Sequence, residues 1–191
     1  MNWTGVTNTP TFQTTANGIL NIYGSLTLVS NMTLNYNSDF YFEATTTGQT
    51  ITCAGQNLPI IYLNGIGAGF TLSDDYFGAA IFITNGSFST ASHTVNSGVF
   101  YNSTGTLDIS NSTINCMTGG FTDHGSGPLL ATNSVINCGN FDMGGGIART
   151  YNDVNSTGSL QAITGPSATV FHDVTCGLAI MIDGATFQIY C

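Results

Sequence analysis

A motif that returns about every 20 residues constrains this chain more than any other feature of its sequence. Residues 111–116 read NSTINC, and residues 133–138, which begin 22 positions later, read NSVINC. Similarly, residues 127–139 have their counterpart 38 positions later, in residues 165–177. A repeat of roughly 20 to 50 residues is typical of solenoids, in which each copy forms one unit stacked on the next.

Each repeat contains an apolar residue followed two positions later by a small one. Alternate residues of a strand point to the same side, so both should face the core, and the polar residue between them should face outward. The pairs are Leu28/Ser30, Ile51/Cys53, Leu72/Asp74, Val95/Ser97, Ile114/Cys116, Ile136/Cys138, Val154/Ser156, Val174/Cys176 and Ile189/Cys191. The expected outward residues are Thr52, Asn96, Asn115, Asn137, Asn155 and Thr175.

One repeat per turn predicts an all-β fold, a right-handed single-stranded parallel β-helix (β-solenoid) of about nine turns. Its turns are 18–23 residues long apart from a shorter last step. A β-sandwich is the alternative, but it gives no reason for one motif to recur at this spacing. Asp74 departs from the pattern because a buried carboxylate is costly, so we expect the register to slip there.

Two further series support the repeat. Phe100, Phe121 and Phe141 lie about one turn apart, which predicts a column of stacked rings. Glycines after the small position are expected at a corner where the chain bends and where a positive φ can be needed. They are Gly55, Gly98, Gly119, Gly120, Gly139 and Gly177.

The repeats predict a single β-helix domain over residues 1–191, with residues 1–20 as an N-terminal edge or cap and residues 177–191 as a short final turn. Hydrophobic residues make up 42% of the chain, which is enough for a substantial core. The first residues lack the charged and apolar regions of a signal peptide, so we expect a mature or excised segment of a longer polypeptide.

Charge excludes several classes of partner. Only 6% of the residues are charged, the formal net charge is −9, and Arg149 is the single Lys or Arg. A chain without a basic patch does not neutralise phosphates, so nucleic acid is not an expected partner. No apolar run reaches about 18 residues, so membrane insertion is not expected either.

The five cysteines, Cys53, Cys116, Cys138, Cys176 and Cys191, all occupy the small position of a repeat. This regularity indicates a structural column rather than metal ligands or a nucleophile, and we expect no cofactor and no metal. Neighbours in the column lie about 4.8 Å apart, within reach of a disulfide, so Cys116–Cys138 and Cys176–Cys191 are candidate pairs. We expect buried thiols in general, with Cys176–Cys191 as the exception that would pin a terminus.

Residues 22–34 (IYGSLTLVSNMTL) and residues 107–113 (LDISNST) resemble long repeat-bearing β-helix proteins of environmental bacteria and their phages. Those are surface or virion proteins, and the likeness covers most of the chain. The resemblance implies a fibre, adhesin or spike-like role and carries over no functional residue.

An enzyme is the main rival hypothesis, because many parallel β-helices cleave polysaccharides with clustered carboxylates. Asp74-Asp75, Asp123-His124-Gly125 and Arg149 follow loosely the order of acidic and basic residues in polygalacturonase-like hydrolases. Asp123 and Asp142 lie one turn apart and could pair on one face. Arg149 could pair with Asp142 or with Asp153.

We therefore expect a non-enzymatic structural or adhesive solenoid, extracellular and at a cell or virion surface. Its expected partners are a surface glycan or further copies of itself, through trimer formation or end-to-end stacking of its open ends. An ice-binding solenoid is a third hypothesis, but it requires regular Thr-x-Thr ranks, which Thr45-Thr46-Thr47 and Thr113 do not form.

Overall fold

The computed structural model describes residues 1–14, 18–144, 147–163, 169–178, 180–183 and 187–189. Within these ranges the chain forms twenty β-strands and no helix. In chain order the strands are β1 Thr11–Gln13, β2 Leu20–Ile22, β3 Leu26–Thr27, β4 Thr33–Asn35, β5 Phe40–Phe42, β6 Gln49–Thr52, β7 Asn57–Leu63, β8 Gly69–Leu72, β9 Tyr76–Ile83, β10 Ser87–Ser89, β11 Val95–Asn102, β12 Thr106–Asp108, β13 Thr113–Asp123, β14 Leu129–Leu130, β15 Val135–Met143, β16 Thr150–Ser156, β17 Leu160–Ile163, β18 Thr169–Cys176, β19 Ile180–Asp183 and β20 Phe187–Ile189.

The strands stack in parallel as a β-solenoid of about eight turns, which confirms the predicted parallel β-helix with one turn fewer than expected. One wall is a six-stranded sheet in the order β14-β12-β10-β8-β6-β3. A twelve-stranded sheet supplies two more walls, because its long strands bend midway and each half pairs with the corresponding half one turn away. β1 and β4 form a separate two-stranded sheet near the N-terminus.

The predicted register is confirmed over the C-terminal part of the large sheet. Here the apolar position runs Val95, Ile114, Ile136, Val154 and Val174 on successive turns. Cys116, Cys138, Ser156 and Cys176 follow one another at the small position. The 38-residue repeat in the sequence therefore spans two turns.

The predicted register is wrong nearer the two ends. Ile51 pairs with Leu26 rather than Leu28, and it lies in the six-stranded sheet together with Leu72. The residue below Val95 is Tyr76 in the neighbouring wall. At the other end Ile189 pairs with Phe171 and not with Val174. The predicted series of apolar positions therefore passes from the six-stranded sheet to the large sheet between Leu72 and Val95. This is the register slip expected at Asp74.

The predicted phenylalanine column is confirmed and is longer than expected. Phe100, Phe121 and Phe141 are completely buried, with ring centroids 5.1 Å and 5.4 Å apart. The same inward position continues on other turns with Leu20, Phe40, Ile61, Ile81 and Leu160. Truncating such a ring to alanine typically costs about 3–5 kcal/mol, so this column anchors the core.

Glycines mark the corner between the two halves of the long strands, but the reason differs from the one predicted. A Cβ on Gly139 would lie 2.3 Å from the carbonyl oxygen of Gly119, and a Cβ on Gly177 would lie 2.2 Å from that of Thr157. These positions need glycine because the backbone of the preceding turn is too close. The predicted positive φ is confirmed at Gly55, with φ +76°, which lies at a different corner.

Residues 1–14 run beneath the first turn. Asn2 bridges to Thr27, the Trp3 N–H donates to the Thr27 carbonyl oxygen at 3.0 Å, and β1 pairs with β4. At the opposite end β19 pairs with β17, and β20 pairs with β18.

Candidate functional site

The first halves of the long strands present an outer surface that we call the amide face. Its central row holds one outward residue per turn: Asn57, Phe77, Asn96, Asn115, Asn137, Asn155 and Thr175. Each of the last three asparagines donates its Nδ2 to the Oδ1 of the asparagine one turn below, at 2.9 Å in every case. The predicted outward positions from Asn96 to Thr175 are thereby confirmed as one row, and its asparagines form a hydrogen-bonded ladder.

Phe77 interrupts this row of amides. Its side chain is 40% exposed, and its ring stacks on no other ring among the described residues. Beside it lies a shallow groove of about 350 Å³, which we call the Phe77 groove, bordered by Asn57, Asn96, Asn115 and Met117. Gly78 and Gly98, at the corner beside Phe77, also line this groove. The amide face therefore carries an open ring between uncharged polar groups.

A second groove adjoins the first at Asn57. No strand pairing joins β4 to β7, both of which are fully described, and a groove of about 520 Å³ occupies that part of the wall. Leu34, Tyr36, Pro59 and Asp39 are among its lining residues. The Tyr36 hydroxyl donates to the Gly18 carbonyl oxygen at 2.7 Å, which fixes the ring that borders the groove.

The second halves of the long strands present another outer surface, the aromatic face. Its central row is Tyr41, Tyr62, Phe82, Tyr101, Thr122 and Asp142 on successive turns. The first two rings stack with centroids 4.6 Å apart, and Tyr62 and Phe82 stack at 5.0 Å. Since the rings cover one another's faces, this ladder exposes mainly ring edges and hydroxyls. Partial burial, followed by the nearby Asp39 and Tyr41, raises the pKa of Tyr62.

An exposed histidine–aspartate pair lies at the upper end of the aromatic face. His124 Nε2 is 3.3 Å from Asp142 Oδ2, and both side chains are more than a third exposed. Tyr101 contacts the imidazole edge-on, with centroids 6.0 Å apart.

Inside the solenoid lies a charged cluster at Asp123. This carboxylate is completely buried and accepts hydrogen bonds from Asn102 Nδ2 and the Tyr151 hydroxyl, each at 2.8 Å, and from the Gly125 N–H at 3.2 Å. Arg149 Nε lies 3.5 Å from the same carboxylate. Burial, followed by the negative charge of Asp123, raises the pKa of Tyr151 well above its usual value.

Arg149 also ties the cluster to the loop between β13 and β14. Its two terminal nitrogens donate to the carbonyl oxygens of Gly125 and Gly127. The predicted pairing of Arg149 with Asp142 or Asp153 is therefore wrong, as is the pairing of Asp123 with Asp142. Neighbouring residues of a strand face opposite ways: Thr122 lies opposite Asp142 on the outside, while Asp123 lies opposite Met143 inside.

The residues that suggested a polygalacturonase-like site do not converge. Asp74 accepts hydrogen bonds from the backbone N–H groups of Cys53 and Ala54, at 2.7 Å and 2.5 Å, and so caps a corner. Asp75 similarly accepts from the Thr94 N–H. With Asp123 and Arg149 enclosed in the core, neither can reach a polymeric substrate.

Three of the cysteines are buried thiols, and two of them stack as predicted. Cys116 and Cys138 are Cα partners and both carry free thiols, so this candidate disulfide is not formed. A hydrogen bond between the two thiols, together with burial, raises the pKa of Cys116. Cys53 lies outside this column, because it follows β6 in the six-stranded sheet. Cys191, and with it the candidate Cys176–Cys191 pair, lies outside the described residues.

Two features of the site were missed from the sequence although signals for them exist. The aromatic ladder could have been found from Tyr41, Tyr62, Phe82 and Tyr101, which each follow a column residue directly. The inward orientation of Asp123 follows from its position two residues after the buried Phe121. The sequence pattern was used to assign outward positions only on the wall that contains the cysteines, so neither the aromatic ladder nor the inward Asp123 was predicted.

Among the residues that the structure describes, no group of three or more His, Cys, Asp or Glu side chains is placed to hold a metal ion. The described part of the chain also has no helix long and apolar enough to cross a membrane. On the six-stranded sheet the outward rank Thr50, Thr71, Ser89 ends at Asp108, so the hydroxyls there do not form a continuous threonine rank.

Comparison with protein-family models, curated proteins and solved structures finds no match to this chain.

Proposed function

We propose that this chain is a non-enzymatic structural and adhesive β-solenoid of a cell or virion surface, which binds through its sides and can self-assemble through its ends. The observation that carries the proposal is the position of the Asp123–Arg149 pair. The single Lys or Arg of the chain and its carboxylate partner are 2% and 0% exposed, so they stabilise the fold instead of acting on a substrate.

The outer walls support an adhesive role. The amide face carries a hydrogen-bonded ladder of asparagines from Asn96 to Asn155, and the aromatic face adds a ladder of half-buried rings. Regular rows of this kind offer the same groups at steps of about 4.8 Å, which suits an extended ligand better than a compact one.

The burial of the arginine guides the choice of partner. Because Arg149 lies in the core, its charge does not contribute to a basic surface patch. The formal net charge of −9 would repel phosphate backbones and anionic headgroups. A neutral surface component is therefore the better match for the side walls.

The proposal is tested by asking whether the chain binds polysaccharides without cleaving them. The purified chain is incubated with neutral and acidic polysaccharides while released reducing ends are assayed, and retention is followed by affinity electrophoresis. We expect retention without release. Release of reducing ends by the wild-type chain, abolished in a His124→Ala variant prepared in the same way, would overturn the proposal. That control separates cleavage by the exposed His124–Asp142 pair from contamination.

Self-assembly has its own measurement. Light scattering coupled to size exclusion should show trimers or larger species whose population grows with protein concentration. A monomer over the whole concentration range would remove assembly from the proposal while leaving adhesion to the first test.

A further inference from the structure

At the Phe77 groove an exposed ring lies beside amides whose N–H groups include some that donate to no described residue. Phe77 is 40% exposed, and the neighbouring Met117 is 48% exposed. Asparagine occupies the same row position on the turns immediately before and after Phe77. We propose that this groove binds a neutral glycan chain, an inference that rests on the adhesive function proposed above and gives it a site and a ligand class.

The ring provides a stacking platform that the aromatic face lacks. In the ladder of Tyr41, Tyr62 and Phe82, the ring of Tyr62 is stacked on both sides. Phe77 has no such neighbour among the described residues, because the row positions on either side of it hold amides. An uncovered aromatic face attracts the weakly positive C–H groups of a flat, ring-shaped ligand, which a pyranose presents on one side.

The amides supply the polar half of the recognition. Asn96 accepts a hydrogen bond from Asn115 but donates none to a described residue, because the next position down the ladder is Phe77. Both N–H groups of Asn96 can therefore donate to a ligand. Asn57 lies one turn on the other side of the ring, and no described residue bonds to its side chain. An amide that donates and accepts side by side matches adjacent hydroxyl groups on a sugar.

The charge of the groove selects a neutral ligand. None of the side chains lining it is acidic, basic or histidine. An acidic glycan would find no cation there and would be repelled by the net charge of −9. A basic peptide would find no carboxylate in the groove to pair with. Uncharged hydroxyl-rich chains are what remains.

The dimensions of the surface favour a chain over a single sugar. From Asn57 to Asn115 the row spans three steps between turns, or about 14 Å. At Asn57 the groove adjoins the second groove beside β4, whose lining includes Tyr36. A ligand extended along the solenoid axis can occupy both.

Binding of neutral glucan, mannan, galactan and xylan oligosaccharides, with acidic uronan oligosaccharides as comparators, tests the inference. Wild-type protein is compared with Phe77→Ala, Phe77→Trp and Asn155→Ala, the last a matched change on the same ladder two turns beyond the groove. We expect at least one neutral oligosaccharide to bind. Phe77→Ala should weaken that binding about tenfold or more, because the ring supplies the apolar surface that the sugar covers. Phe77→Trp should retain binding, and Asn155→Ala should match the wild type.

The outcomes separate this inference from the function on which it rests. Glycan binding that is equal in wild type and Phe77→Ala would place the site elsewhere and leave adhesion standing. Binding of acidic glycans only, or of no oligosaccharide at all, would overturn the inference, while retention and cleavage assays still decide the proposed function. Circular dichroism should show that Phe77→Ala is folded, which its partly exposed position predicts.

Discussion

The N-terminal and C-terminal halves of the solenoid stabilise the same corner by different contacts. In both halves one inward-facing residue per turn lies just before this corner, at the end of the strands that form the aromatic face. In the N-terminal half this column of residues is apolar, with Ile22, Phe42, Leu63 and Ile83 on successive turns. In the C-terminal half the next two positions are Asn102 and Asp123, which are equally buried.

The hydrogen bonds that fix the corner loops differ in the same way. In the N-terminal half they lie outside the core: Asn64 donates to Glu43 and accepts from Thr84 and Asn85. In the C-terminal half they lie inside: Asn102 bonds both the N–H and the carbonyl of Gly105. One turn higher, Asp123 and Arg149 together hold the loop at 125–127. A buried polar tie fixes a loop firmly but makes each member depend on the others.

Arg149→Met should produce the largest change. It leaves the Asp123 carboxylate buried without its cation, so the free energy of unfolding should fall by about 3–5 kcal/mol, measured by urea denaturation. Ile83→Met is the matched change in the apolar half of the column, and it should cost less than about 1.5 kcal/mol because volume is nearly conserved.

A second variant shows whether the unpaired charge is the cause. Asp123→Asn in the Arg149→Met background removes that charge and keeps an oxygen acceptor for Asn102 or Tyr151, so much of the lost stability should return. If Arg149→Met cost less than about 1 kcal/mol, the two halves would not differ in the way the structure indicates.

The two fully buried tyrosine hydroxyls sharpen the comparison with a smaller effect. Tyr151 donates to the Asp123 carboxylate at 2.8 Å, whereas Tyr76 in the N-terminal half donates to the neutral carbonyl oxygen of Ala80 at 3.3 Å. Tyr151→Phe should therefore cost about 1.5–3 kcal/mol and Tyr76→Phe about 0.5–1.5 kcal/mol, by the same urea titration. Equal costs would mean that the charge of Asp123 adds nothing to its hydrogen bond.

The sequence predicted the C-terminal half better than the N-terminal half, and the reason is physical. Near Ile114 and Ile136 the repeat is nearly literal, so the asparagine row and the cysteine column could be read directly. Each turn, however, has three walls with the same apolar and polar alternation. With spacing alone, Leu72 could not be told from a residue of the neighbouring wall.

The charged cluster could not be predicted from spacing, because it depends on which way one strand faces. Asp123 and His124 are adjacent, yet one lies in the core and the other on the surface. Arg149 and Asp123 lie on different turns and are far apart in the sequence, so no local motif predicts their contact. The open ring of Phe77 was likewise hidden, since it stands where the row otherwise places asparagine.

The smallest expected effect is a loss of stability at alkaline pH. The buried thiol of Cys53, in the N-terminal half, contributes to it. Burial, followed by the nearby Asp74, raises the pKa of Cys53 from 9.0 to about 12. Below pH 9 the thiol is protonated in both folded and unfolded chains. Above it the unfolded thiol loses its proton and the folded one does not, so stability falls as pH rises from 9 towards 12.

Thermal midpoints recorded between pH 8 and about 11 should therefore decline, and Cys53→Ala should make the decline shallower. Cys116→Ala in the C-terminal half should make the decline shallower as well. There the hydrogen bond between the stacked thiols raises the pKa of Cys116 and lowers that of Cys138. The contribution of Cys138 changes only below pH 9, so it does not offset the loss of stability that Cys116 causes above pH 9. A slope that is unchanged in both variants would show that neither buried thiol keeps its proton in the folded chain above pH 9.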